Sequence, residues 1–338
     1  MKTPLTELLN IKYPIILAPM FLVSNEEMSI EAIKAGIAPC IPALNWRTIE
    51  QMREGIEKIR NAADGSIGIN LIVNQSNIHY KKQLDACIDL KVDFIITSLG
   101  SPEEVIAKCK PAGIKVFCDV VDVKYAKKVE DLGADALIAV NKEAGGHCGP
   151  MLSSELIPLL KKNCSIPVIS AGGVGDGVGI WKRINEDGAV GVSMGSIFIA
   201  TPEAPVSQEY KQACVDYGAD DIVLTTKISG SHLTVINTPY VQKVGTTQNW
   251  FEKLLSKNKK LKKYVKMLTF YKGMKAIEKA AFSSTYNSVW CAGPSIEYVK
   301  SIRPVKDIVT SLVKEYNEVN TNEEKKTAAM ANSVVRRK

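Results

Sequence analysis

Pro167-Val168-Ile169-Ser170-Ala171-Gly172-Gly173-Val174-Gly175-Asp176-Gly177 opens as an apolar run and stops on glycines. A short run without polar alternation suits a strand buried on both faces, as in a parallel sheet. The next run, Ala189-Val190-Gly191-Val192-Ser193-Met194-Gly195-Ser196, ends the same way. Glycine lacks the Cβ that would hold a backbone N–H away from an anion, so two such endings side by side suit a phosphate. The competing reading is that these glycines only make tight turns.

Upstream, six further runs have the same character: Ile15–Met20, Ile37–Leu44, Ile67–Val73, Phe94–Gly100, Lys115–Val121 and Ala136–Val140. The eight recur about every 25 residues, the length of a strand–helix unit in a chain of this size. The segments between them have helical spacing. Asn25–Ala35 starts with a capping-competent Asn and acids in its first turn, and Gly36 follows it. Eight such units predict a (β/α)₈ TIM barrel. The alternative, a doubly wound open sheet, places its phosphate loop after the first strand. Here the first strand runs into Ala18-Pro19-Met20, and the glycines follow strands seven and eight, where barrels commonly hold phosphate. The barrel is the better fit.

After the eighth strand the rhythm stops. The barrel is expected over residues 1–220 and 283–316, with a mainly helical insertion over 221–282 and a polar, fraying tail over 317–338. Between Lys253 and Lys279 lie ten lysines and one acid, Glu278, so the net charge of +7 is concentrated there. A solvated helix face accounts for such a stretch, and a nucleic-acid-coating protein would carry its charge more widely. The eight cysteines form no C-x-x-C pair and no zinc spacing with histidine, so reduced thiols and no metal are expected. Glu7 sits where a secretory peptide would be apolar, and no charge-free run reaches about 18 residues, so a cytoplasmic protein without a membrane span is expected.

Active sites of barrels form where the strands end. His147 lies just past the sixth strand, in Glu143-Ala144-Gly145-Gly146-His147-Cys148-Gly149. A lone histidine is more often structural, but this one is framed by glycines on the catalytic face, where an imidazole can exchange a proton near neutral pH. His79 reads as a surface residue, and His232 falls in the insertion, where it could face the same pocket. Asn70, in Gly68-Ile69-Asn70-Leu71, is an amide among apolar residues. It needs a partner, either a ligand ring edge or neighbouring backbone.

Taken in order, Pro14–Met20, Gly68-Ile69-Asn70, Glu143-Ala144-Gly145-Gly146-His147, Ala171-Gly172-Gly173 and Met194-Gly195-Ser196 resemble the nitronate monooxygenase family, formerly the 2-nitropropane dioxygenases, over roughly residues 10–300. The resemblance implies FMN at the barrel mouth. Its phosphate would lie between the last two strand ends, with Asn70, Gly145, Gly173, Ser193, Met194, Gly195 and Ser196 in contact and Ala18, Pro19 and Met20 behind the ring. Gly146, Ala171 and Gly172 belong to the same loops. His147 matches the family's catalytic histidine. The implied reaction is oxidation of alkyl nitronates by O₂ to a carbonyl compound and nitrite. Where the family often has Gln at the end of the sixth strand this chain has Val140, and Ser196 stands for a more frequent Thr.

The same motifs fit the flavin-type enoyl-acyl-carrier-protein reductases and NAD(P)H:quinone reductases of the superfamily. An acidic acyl carrier protein would then be a partner for the lysine stretch. A barrel that only stores FMN would leave the glycine-framed histidine without a purpose. A small-molecule substrate with O₂, no nucleic acid, no membrane and a homodimer complete the expectations.

Overall fold

A computed structural model describes residues 1–74, 77–226, 232–247 and 289–335, and in it the eight runs form one closed parallel barrel. Its strands are β1 (Ile15–Leu17), β2 (Ala38–Pro42), β3 (Gly68–Ile72), β4 (Phe94–Ser98), β5 (Lys115–Val120), β6 (Ala136–Val140), β8 (Val168–Ala171) and β9 (Val192–Met194). β7 (Gly146–His147) lies outside the barrel. It joins β10 (Ile222–Thr225) and β11 (Leu233–Ile236) in a small antiparallel sheet.

The period of two explains how the barrel fills. Along β4 and β5, Phe94, Ile96 and Phe117 turn inward and pack with Ile16, Cys40, Ile138 and Ile169. Phe94 and Phe117 stack with centroids 5.4 Å apart. Their alternates Ile95, Val116 and Cys118 turn outward to the helical layer. At the N-terminal end of the barrel the short helix α1 (Pro4–Leu9) inserts the fully buried Leu5 and Leu9 into the inner core. Burying two leucines there contributes on the order of 1.5–3 kcal/mol each before chain entropy is counted. That end is therefore filled, and any pocket must open at the other.

The outer helices α2 (Glu26–Lys34) to α8 (Gly177–Asn185) fill the intervals between the runs, and α2 lies within the expected Asn25–Ala35. In α3 (Ile49–Ala62) the inward face is Met52, Ile56 and Ile59, three- and four-residue steps, and the Thr48 hydroxyl caps the start by accepting from the Gln51 N–H. The final helix, Val305–Val335, lies between α8 and α2 and completes the ring. The Glu315 carboxylate accepts from Gly177 N–H at 2.8 Å, and a side chain at Gly177 would collide with the helix backbone.

Two expectations change. The polar stretch from residue 317 continues this helix to Val335. Its first turns gain a tether when Trp181 Nε1 donates to Asn320 Oδ1 at 3.2 Å. The described part of the insertion is a β-hairpin, β10 with β11, followed by the short helix α10 (Pro239–Val244). β-branched Ile222, Val223, Val235 and Ile236 favour that hairpin. The lysine stretch 253–279 lies outside the described residues. Among the described residues no helix is long and apolar enough to cross a membrane.

Candidate active site

Parallel strands point their C-terminal ends to one face, and there a cavity of about 1150 Å³ opens. Ala18, Pro19 and Met20 after β1 form one wall, Asn70 of β3 part of the floor, and Gly145, Gly146 and His147 after β6 the opposite rim. Ala171, Gly172 and Gly173 after β8 meet Ser193, Met194, Gly195 and Ser196 after β9 on the remaining side. All the residues selected from sequence thus share one space. Val140 also lines it.

The loop after β8 is shaped for a close approach. Gly172 has φ of +113° and Gly173 of +74°, and a Cβ on Gly172 would lie 2.5 Å from both Ala144 N and Asn141 Oδ1. Neither glycine N–H finds an acceptor among the turn and loop hydrogen bonds of the described residues. Two unspent donors beside Gly195, on the rim of a cavity, suit an anion such as a phosphate.

Asn141, fully buried just past β6, sets this loop against the histidine loop. Its Nδ2 donates to Gly172 O at 3.0 Å and its Oδ1 accepts from Glu143 N–H at 2.8 Å. Its own carbonyl accepts from Gly149 N–H. Sequence reading passed over this residue, although an amide directly after an apolar strand was the available signal. Asn141→Ala is expected to lower unfolding stability by about 2–3 kcal/mol, because Gly172 O and Glu143 N–H lose buried partners. Urea titration followed by circular dichroism measures it, and a loss below about 0.5 kcal/mol would contradict this role.

His147 is held on a two-residue strand rather than a free loop. Gly146, at φ +77°, turns the chain, and His147 then pairs with Leu233 of β11 while Gly146 pairs with Thr234. The Thr234 hydroxyl sits 2.8 Å from Ala144 O and 3.3 Å from Gly146 O, the carbonyls flanking Gly145. The residue is exposed at the rim and lines the cavity. Burial among the rim residues lowers its pKa below the ordinary value of 6.5. It is therefore neutral and basic at pH 7. Cys148 beside it is pushed the other way by burial, so the thiol stays protonated.

The chain returns to the site through Trp290-Cys291-Ala292-Gly293. Tyr210 stacks on Trp290 at 5.5 Å and donates to Cys291 O at 2.5 Å. The Ser196 hydroxyl accepts from Gly293 N–H at 2.8 Å, which locks the β9 loop to this returning segment. His232 of the insertion also lines the cavity, and His79 is exposed at the start of α4 (Tyr80–Asp89). Among the described residues no group of three histidine, cysteine or acidic side chains could hold a metal.

Two polar residues of the floor escaped the sequence reading. Ser98 of β4 and Asp119 of β5 stand beside Asn70, and burial raises the Asp119 pKa to about 6 against the opposing effect of the Ser98 hydrogen bond. The acid in Lys115-Val116-Phe117-Cys118-Asp119-Val120, amid a buried strand, was the signal.

The site can be set beside known proteins. A dehydrogenase of (3aS,4S,5R,7aS)-5-hydroxy-7a-methyl-1-oxo-octahydro-1H-indene-4-carboxyl-CoA from Rhodococcus jostii is 30% identical over 249 residues, covering 74% of this chain and 69% of its own. A probable nitronate monooxygenase of Staphylococcus aureus is 27% identical over 287 residues, covering 72% and 80%. The solved structure of FabK from Thermotoga maritima superposes with a TM-score of 0.83 at 27% identity, over 96% of this chain and 99% of that one. The profile of the family described as nitronate monooxygenase matches residues 73–315, a span that holds Gly145–His147, both glycine loops and the hairpin behind them. Barrel, loop order and that match agree: the chain belongs to the nitronate monooxygenase family of oxidoreductases.

Proposed function

We propose that the cavity holds FMN and that the enzyme oxidises alkyl nitronates with O₂, giving a carbonyl compound and nitrite, with His147 as the base that makes the nitronate from a neutral nitroalkane. The observation that carries this reading is His147, fixed on its two-residue strand at the rim of a cavity whose adjacent loop offers the N–H groups of Gly172 and Gly173. FMN would supply electron acceptance, with its phosphate at Gly172, Gly173, Gly195 and Ser196. The protein's own contribution is to orient and to move protons. Ala18, Pro19 and Met20 offer an apolar backing, and Met20 Sδ would lie 3.2 Å from a Cβ at Gly195, so that wall is close-packed. His147 faces the space in which the α-carbon of a substrate must lie if its proton is to be taken. An uncharged imidazole can accept that proton, and the largely apolar surroundings weaken competition from water.

A second reading has its own support. The cavity reaches out to Tyr125 and Lys128 on α6 (Val123–Asp131). A 30%-identical relative is named for a CoA thioester. An NAD(P)H-dependent reductase acting on an acyl thioester, or on a quinone, would use the same floor and rim.

Anaerobic mixing separates the two. Bleaching of the yellow protein by ethylnitronate or propionate-3-nitronate without NAD(P)H is the expected result. Rapid bleaching by NAD(P)H and none by nitronates would transfer the assignment to the reductases.

A further inference from the structure

Ser98, Asp119 and Asn70 make a hydrogen-bonded chain across three neighbouring strands, and its direction is determined. Asn70 Nδ2 donates to Ile96 O at 3.1 Å, a carbonyl that can only accept, and to Ser98 Oγ at 2.8 Å. Ser98 spends its single proton on Asp119 Oδ2 at 2.5 Å. Both amide hydrogens of Asn70 are therefore committed to the protein, which leaves Oδ1 as the part of the amide still able to bond a ligand. Asp119 likewise has one oxygen held by Ser98 and no other hydrogen bond among the described residues. Like Asn70 and Ser98, it lines the cavity.

Among the described residues no cation acts on the carboxylate. The titratable groups around it are Cys40 of β2, Cys118 of its own strand and Tyr125 of α6, none of them cationic. An unpaired carboxylate in the barrel mouth is costly to bury, and its retention is easier to understand if it meets a ligand. The inner core beneath it is apolar.

We propose that Asn70 and Asp119 form an acceptor-only edge on the cavity floor, with Ser98 as the positioning residue between them, which takes N–H donors of a planar ligand ring and opposes the gathering of negative charge on that ring. The inference rests on the flavin reading, since the isoalloxazine ring carries an imide N–H and becomes more electron-rich on reduction. It assigns Ser98 and Asp119 to the cofactor site beside Asn70.

The test uses deflavinated full-length protein titrated with FMN, together with the midpoint potential of the bound flavin. Asp119→Asn keeps the shape but turns one acceptor oxygen into a donor and removes the charge. FMN is expected to bind about tenfold more weakly, with a more positive midpoint potential at pH 8. Ser98→Ala should weaken FMN by a similar factor, the double variant no further than either single one, and Ser98→Thr should recover affinity.

Unfolding of the FMN-free proteins monitors the fold and the charge together. Because the folded pKa of Asp119 lies above its unfolded value, its favourable contribution is complete below about pH 4 and is lost as pH rises through about 6. Asp119→Asn should therefore raise Tm at pH 8 and raise it less at pH 5. Equal Tm gains at both pH values, or unchanged FMN affinity and potential in Asp119→Asn and Ser98→Ala, would overturn this inference alone. A wild-type protein that takes up no FMN would overturn the flavin reading and this inference together.

Discussion

His147→Ala is expected to lower kcat/KM for a neutral nitroalkane by about 10²–10⁴-fold while leaving turnover of the preformed nitronate within a few-fold of wild type. The asymmetry follows from the site. Among the described residues the only other histidine on the cavity is His232, and Asp119 sits at its floor, bonded to Ser98. Neither is held as His147 is, on a two-residue strand at the rim. A nitronate has already lost its α-proton and does not need the base. The pH profile gives a second check. Burial lowers the imidazole pKa, so the basic form persists to more acidic solution than an exposed histidine allows. The acid limb of kcat/KM for the nitroalkane should fall below pH 6.5, the ordinary value, and should be missing from the nitronate profile. Stopped-flow rates with both substrate forms from pH 5 to 9 decide the matter. Equal losses on the two forms would remove the proton-abstraction role.

Gly172→Ala should be among the most damaging glycine substitutions of the described residues. Its φ of +113° is a conformation that L side chains rarely adopt, and the added Cβ would press within 2.5 Å of the Ala144 backbone nitrogen and of Asn141 Oδ1. Backbone nitrogen cannot swing aside as a lysine tip can. The loop must therefore shift, and the Asn141 bond to Gly172 O is spoiled with it. A stability loss of about 3 kcal/mol or more is expected, together with, on the proposed flavin reading, loss of FMN on purification. Thermal unfolding and the ratio of visible to ultraviolet absorbance report the two effects. Gly113→Ala is the comparison, since Gly113 also has positive φ, at +74°, but its Cβ would meet nothing within 4 Å. It should cost only the backbone term of about 1 kcal/mol. Retention of FMN and stability by Gly172→Ala would show that the loop has slack the geometry denies.

The barrel was legible because buried parallel strands read as unbroken apolar runs, and each run here is followed by a helix of the right length. The glycine endings then fixed which face of the barrel to search. The hairpin β10–β11 was missed for a different reason. Four-residue strands give little periodic signal, and the charge of the lysine stretch further on drew the reading towards helices. Helix Val305–Val335 ran past its expected end because polar residues on a helix already docked on α8 need no buried face of their own. In the site, Asn70 stood out as an amide in an apolar strand, whereas Ser98 sits in a strand end, Thr97-Ser98-Leu99-Gly100, that resembles any loop entrance. Asp119 was visible and was passed over as one polar letter in a run. What made both conspicuous was register. Ile72 faces Ser98, and Thr97 faces Cys118, which brings the ends of β3, β4 and β5 level at the mouth. Pairing of that kind is set by closure of the whole barrel, not by any local word of sequence.

The sheet behind His147 has a bearing on when the protein becomes competent. Thr234 reaches back 90 residues to the Ala144 carbonyl, so the loop that carries the imidazole is not seated until the hairpin has been made and has docked. A nascent chain on the ribosome can complete all eight barrel strands by Met194 and still lack the clasp that holds His147. Assembly of the scaffold and arming of the chemistry are thus two separate events in the life of the polypeptide. A truncated product released between them would have all eight strands but neither that clasp nor the closing helix Val305–Val335.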